Sequence, residues 1–126
     1  MRELRMLNRK LDGESIVFTD GTRTVLTIGE KEQENGILIT LTGELRSEVA
    51  HDLQDELVAL TTVGANVVVD MRGVSYISST VQHVFLTVQQ KMDNMSRGTL
   101  VLRGMPDAIY NEFDKNGTSE LLMIED

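Results

Sequence analysis

Val67-Val68-Val69-Asp70-Met71-Arg72-Gly73-Val74-Ser75-Tyr76-Ile77-Ser78-Ser79-Thr80 is the stretch that decides the fold, together with residues 81–95 that follow it. It begins as an apolar run that stops at Asp70. Residues 71–77 read as a turn-like piece, and three hydroxyl residues come next. From there Val81, Val84, Phe85, Val88, Met92 and Met95 recur at steps of three and four. That spacing places them on one face of an α-helix. The stretch therefore predicts strand, loop, hydroxyl cluster and helix, with the helix over residues 81–95.

The place of the hydroxyls bears on function. The first N–H groups of a helix lack internal partners, and Ser or Thr side chains satisfy them. The same end of a helix carries positive partial charge and accepts a phosphate. Ser78, Ser79 and Thr80 thus read either as an N-cap or as a phosphorylatable cluster at which a partner acts.

Residues 68–80 also resemble the signature segment of STAS domains, the family of anti-sigma-factor antagonists and of related proteins in stressosomes, anion transporters and lipid-transport complexes. In that family an apolar strand ends in Asp-Leu, followed by Gly-Val, an aromatic, an aliphatic, Asp-Ser-Ser/Thr-Gly and a helix. Here Asp70-Met71, Gly73-Val74, Tyr76 and Ile77 occupy the corresponding places. The resemblance implies that Ser79 is the hydroxyl phosphorylated by a partner kinase, with Ser78 and Thr80 as alternatives. It also implies partner binding through Ser75, Tyr76, Ser78, Ser79, Thr80, Gln82 and His83. The chain departs from the family in having Ser78 for its Asp and Val81 for its Gly. The first change removes a carboxylate beside the acceptor. The second puts a β-branched side chain where backbone could approach closely.

Composition limits the alternatives. The chain has 126 residues and is 40% hydrophobic, with two Tyr, three Phe and no Trp. It is read as a single domain over residues 1–126, with a mostly aliphatic and Met core. A net charge of −8 argues against nucleic acid as a partner, because that binding relies on Lys and Arg. Without Cys there is no disulfide, thiol catalysis or thiolate metal site. No apolar run approaches the ~20 residues that span a bilayer. Residues 1–11 lack the apolar segment of a signal peptide, so a cytoplasmic location is expected.

Working outward, Leu4, Leu7 and Leu11 lie at helical spacing among basic residues, which suggests a short amphipathic helix in the first 13 residues. Residues 15–19 and 24–28 read as strands joined by the turn signal Asp20-Gly21. Residues 30–36 form a charged connection, and 37–42 a strand expected to pair antiparallel with 24–28. Residues 1–23 are an N-terminal extension and hairpin, and the family resemblance covers 24–124. Ser47 is a plausible cap for a helix carrying Val49, Leu53, Leu57 and Leu60 on one face and ended by Gly64. His51 and the acidic residues beside it read as solvated surface. Residues 66–70 are apolar without alternation, as in a parallel strand buried on both faces. Asp70 at the strand's end is read as structural, bonding the loop beyond it. Arg97-Gly98 closes the long helix. Residues 99–103 form a strand, and Pro106 starts a helix with Ile109, Phe113 and Tyr110 inward. A last strand covers 121–124. The fold class is α/β, a mixed sheet whose later strands are parallel, with about three helices. STAS domains usually carry a further helix after the final strand. Its absence here leaves apolar surface for residues 1–11 or a second copy of the chain to cover, so a homo-oligomer is one expectation.

No phosphate loop, dinucleotide fingerprint, nucleophile elbow or metal-ligand pair marks an enzyme. No catalytic residue, metal or cofactor is expected. The leading reading is a regulatory module that binds an anti-sigma factor or serine kinase and is switched by phosphorylation. The alternatives are a scaffold, resembling a stressosome component or the accessory subunit of a lipid-transport ATPase, and a small-ligand or nucleotide sensor. The departures at Ser78 and Val81 favour the scaffold among these alternatives.

Overall fold

The apolar rows of the chain assemble into a mixed sheet with its helices on one face. The computed structural model describes residues 7–95 and 98–126. Its strands are β1 (Asn8–Asp12), β2 (Ser15–Thr19), β3 (Thr24–Gln33), β4 (Gly36–Leu45), β5 (Asn66–Ile77), β6 (Thr99–Arg103) and β7 (Met123–Glu125). Its α-helices are α1 (Ala50–Thr62), α2 (Ser79–Met95) and α3 (Asp107–Lys115). The strands lie in sequence order across the sheet. Pairing is antiparallel from β1 to β4 and parallel from β4 to β7. Each parallel step is spanned by one α-helix, as parallel strands require a long crossover.

The core lies between the helices and one face of the sheet. Ile39 and Leu41 of β4, Val67, Val69 and Met71 of β5, and Leu100 and Leu102 of β6 meet Leu53, Leu57, Val81, Phe85, Val88, Ile109 and Phe113 there. Residues of β5 alternate between buried and half-buried from Val67 to Met71. The apolar run thus belongs to a strand buried fully on one face only, and the expectation of burial on both faces is corrected.

Several boundaries differ from the sequence reading. Residues 71–77 continue β5 rather than forming a turn. Thr40 pairs with Asp70 and Thr42 with Gly73, and a second shift separates Gly43↔Val74 from Glu44↔Tyr76. The turn-like residues are bulges, which keep the ladder while bending the strand. Asp70 performs the expected role, its Oδ1 accepting the Arg72 N–H at 3.0 Å. The charged connection shrinks to Glu34-Asn35, because Gln33 pairs with Gly36 across the hairpin.

Residues 8–12 pair with β2 from Asn8↔Thr19 to Asp12↔Ser15, so the short helix does not form there. A brief helix is marginal alone, whereas the free edge of β2 supplies backbone partners. Residues 1–6, including Leu4, lie outside the described residues, as does Arg97. Ser47 makes no side-chain cap. A tight turn of Ser47–Val49 precedes α1, with the Val49 N–H on the Arg46 carbonyl at 3.1 Å. Pro106 stands just before α3, where its missing N–H costs nothing. Tyr110 is 40% exposed, and the final strand begins at Met123 because Leu121 closes a tight turn of Ser119–Leu121.

Candidate functional site

The join between β5 and α2 separates the hydroxyls by role. The Ser78 N–H donates to the Leu45 carbonyl at 2.9 Å, which ties the end of β5 to the end of β4. The Ser78 hydroxyl then accepts the Val81 N–H at 3.2 Å, three residues on. That is the hydrogen bond of an N-cap. Ser78 is only 8% exposed. Ser79 and Thr80, the first residues of α2, are exposed. A group added to Ser79 would stand at the positive end of a 17-residue helix. Val81 is fully buried in the core. The family's Asp-to-Ser change therefore keeps a capping oxygen, and its Gly-to-Val change is absorbed by packing.

The other residues fall into two groups. Ser75, Tyr76 and His83 are exposed. The Ser75 hydroxyl donates to the Gly43 carbonyl at 3.3 Å, and Tyr76 is 49% exposed. Gln82 points inward, 3% exposed, its Oε1 accepting Asn116 Nδ2 at 3.2 Å and Thr118 Oγ1 at 3.3 Å. Gln82 holds the loop after α3 against α2, so its side chain is not part of the presented surface. Ser78 is likewise occupied as the cap.

The register adds residues that spacing did not reveal. Glu44 pairs with Tyr76, and Leu45 with Ile77. A hollow of about 310 Å³ is lined by Glu44, Arg46, Ser47, Glu48 and Tyr76. Glu44 accepts Arg23 Nη2 at 2.6 Å on one oxygen and Arg46 Nε at 3.1 Å on the other. No signal in the sequence links residues 23, 44 and 46 to residue 76; only strand pairing does.

Electrostatics follow from that network. The hydrogen bond from Arg23, then that from Arg46, holds the Glu44 carboxyl below its ordinary range. Asp20 is lowered further, first by the Thr22 hydroxyl and then by the N–H groups of Thr22 and Arg23. A carboxyl with a lower pKa folded than unfolded adds stability above its unfolded value, and loses it as pH falls through its folded value. Melting temperature is therefore expected to fall as pH drops below the ordinary carboxylate range. The effect is small, because solvent screens surface charges. Glu44→Gln should flatten part of this acid limb; an unchanged limb in thermal melts followed by circular dichroism would refute the network's contribution.

Comparison with known proteins identifies the family. A family model described as "Mlab, STAS domain" matches residues 28–123. The chain belongs to the STAS family. This STAS domain is 29% identical over 99 residues to the anti-sigma-B factor antagonist of Bacillus subtilis (strain 168), which covers 79% of this chain and 90% of that protein. Its fold matches the anti-sigma factor antagonist SpoIIAA in its unphosphorylated form, with a TM-score of 0.65, 14% identity, and 77% and 86% of the two chains covered. The phosphorylated form of SpoIIAA, a Bacillus cell fate determinant, matches with a TM-score of 0.60, 14% identity, and 77% and 89% coverage. An anti-sigma factor antagonist from Mycobacterium paratuberculosis matches with a TM-score of 0.67, 15% identity, and 79% and 85% coverage.

The mixed sheet with its later strands parallel is that of the STAS fold. Among the described residues no group of His, Cys, Asp or Glu could hold a metal ion. No described helix is long and apolar enough to cross a membrane. The cap itself is testable. Ser78→Ala is expected to lower stability by about 1 kcal/mol, while Ser79→Ala leaves it nearly unchanged. Equal losses in urea unfolding would contradict the division of roles.

Proposed function

We propose that this STAS domain is a regulatory protein-binding module, without catalytic activity of its own, that acts in the cytoplasm as an anti-sigma-factor antagonist. Its partner is an anti-sigma factor with serine kinase activity. The unmodified chain binds through Tyr76, the hollow beside it, Ser79, Thr80 and His83. The partner phosphorylates Ser79, and the added charge releases it. The observation that carries this reading is the division between Ser78 and Ser79. The capping requirement of α2 is met by a buried neighbour, so the Ser79 hydroxyl stands exposed where chemistry can reach it.

Phosphorylation adds ~1.5 to 2 negative charges and three acceptor oxygens. Glu44 and Glu48 already line the adjacent hollow. A phosphate on Ser79 beside these carboxylates adds like-charge repulsion and a desolvation cost to the bound state, which weakens the contact. Phosphoserine at position 79 is expected to weaken partner binding about 100-fold, or ~3 kcal/mol. The experiment maps phosphate by mass spectrometry on protein from its own cells, and titrates the partner kinase with wild-type, Ser79→Ala and Ser79→Glu chains. Phosphate on Ser79, absent from Ser79→Ala, together with weak binding by Ser79→Glu, is the expected result. Phosphate on Ser78 or Thr80 instead would overturn the register.

A constitutive scaffold is the second reading, favoured by the missing carboxylate at position 78. On that reading the same surface docks a partner, no phosphate is found, and Ser79→Ala binds as wild type does.

A further inference from the structure

We infer that the uncovered face of the sheet is a self-association surface, on which a second copy of the chain docks face to face about an axis along the strands between β5 and β6.

The strand register defines this face. Leu38 pairs with Val68, Val68 with Val101, and Val101 with Met123. These side chains form a straight apolar row across β4, β5, β6 and β7. They alternate with Ile37, Val67, Leu100 and Ile124, which pack in or against the core. Leu38, Val68, Val101 and Met123 belong to neither group, and Met123 is 52% exposed. Among the described residues no helix covers the row. Open antiparallel faces are ordinarily polar, whereas parallel strands are ordinarily covered on both sides. An apolar row across parallel strands with one open face is therefore unusual.

The neighbouring rows select the occupant. On one side lie Asn66 and Thr99, paired and joined by a hydrogen bond of 3.2 Å from Thr99 Oγ1 to Asn66 Oδ1. On the other lie Thr40, Asp70, Arg103 and Glu125, again in register, with Arg103 Nε on Glu125 Oε1 at 2.8 Å. Lys31 flanks the apolar row beside Leu38. The chain carries a net charge of −8, which opposes self-association over most of its surface. Here Lys31 and Arg103 balance Asp70 and Glu125, so this face escapes that repulsion.

A rotation about an axis along the strands keeps heights and exchanges sides. With the axis between β5 and β6, Val68 faces the partner's Val101, and Leu38 faces the partner's Met123. Asp70 then faces the partner's Arg103, twice over by symmetry. An axis on β5 itself would set Asp70 against its own copy. About the first axis all four strands of the row are opposed and their charges complement, as an isologous interface requires. Packed sheets lie ~10 Å apart and strands ~4.8 Å apart. Four strands therefore give a footprint of about 19 Å by 13 Å, well below the ~800 Å² per partner of a standard interface. The dimer is accordingly weak and concentration-dependent.

The test uses sedimentation velocity of the full chain from micromolar to millimolar concentration, at low and high salt. A monomer–dimer equilibrium that salt weakens is expected, with Val68→Lys and Arg103→Glu shifted at least tenfold toward monomer while circular dichroism shows both variants still folded. Because the chain lacks Cys, Leu38→Cys and Met123→Cys can be joined by a short bis-maleimide. Their mixture should cross-link far more than either variant alone, since only the 38–123 pair is directly opposed. A monomer at every concentration, as another occupant of this face would leave it, overturns the proposal. So does a dimer that Val68→Lys leaves intact, or equal cross-linking in the mixture and the single variants.

Discussion

Phe85→Ala is expected to destabilise the protein by about 3–5 kcal/mol. Phe85 is fully buried on α2 and meets Phe113 of α3 with ring centroids 6.3 Å apart at 40°. It thus joins the helix that presents Ser79 to the helix that closes the far side of the core. The loss has two parts, the transfer of the ring and the cavity left between α2 and α3. Gln82 lies one turn earlier and holds Asn116 and Thr118 on the same side, so the helices cannot easily close the gap. Domains of this size have only ~5–15 kcal/mol of stability in total. The midpoint of urea unfolding should fall sharply with little change in slope. A loss below about 1 kcal/mol would contradict the packing of α2 on α3.

Gly43→Ala is expected to cost about 3 kcal/mol or more, far beyond the ordinary effect of adding a methyl group. Gly43 has φ of 116°, a conformation that side chains disfavour. A Cβ there would also collide with the backbone carbonyl of Val25 on the adjacent strand. A carbonyl in a sheet ladder cannot swing aside as a side chain can. The strain falls beside Glu44, so it should also disturb the Arg23–Glu44–Arg46 network and the hollow next to Tyr76. Gly29→Ala serves as the comparison. A Cβ at position 29 meets nothing nearer than 3.8 Å, and its backbone needs no glycine. It is expected to be neutral, or stabilising by up to about 1 kcal/mol. Similar melting temperatures for the two variants would sink the account of Gly43.

Both expectations concern how the site is held. Ser79 owes its exposure to Ser78, which caps, and to Val81, Phe85 and Val88, which anchor α2 to the sheet. Legibility in the sequence tracks how local each cause is. The apolar spacing of Val81, Val84, Phe85, Val88 and Met92 announced α2, and the run from Val67 to Val69 announced β5, because periodicity depends only on neighbours along the chain. The hydroxyl cluster announced a helix start for the same reason.

Other features depend on what lies across space. Whether residues 71–77 turn or continue as a bulged strand was decided by the free ladder of β4. Residues 8–12 became a strand because the edge of β2 offered them backbone partners. Gln82 looked presentable on α2, yet the loop at Asn116 and Thr118 claimed its amide.

By itself, then, the sequence determined the order of strands and helices from residue 24 onward, the aliphatic core, and the position of the signature segment with its cluster of hydroxyls. Only the tertiary structure decided which hydroxyl caps and which is exposed, which charges gather beside Tyr76, and that one face of the sheet stays open with an apolar row in register. The physical reason is that burial, hydrogen-bond competition and lateral register are set by residues distant in the chain, and a pattern of period two or 3.6 cannot encode them.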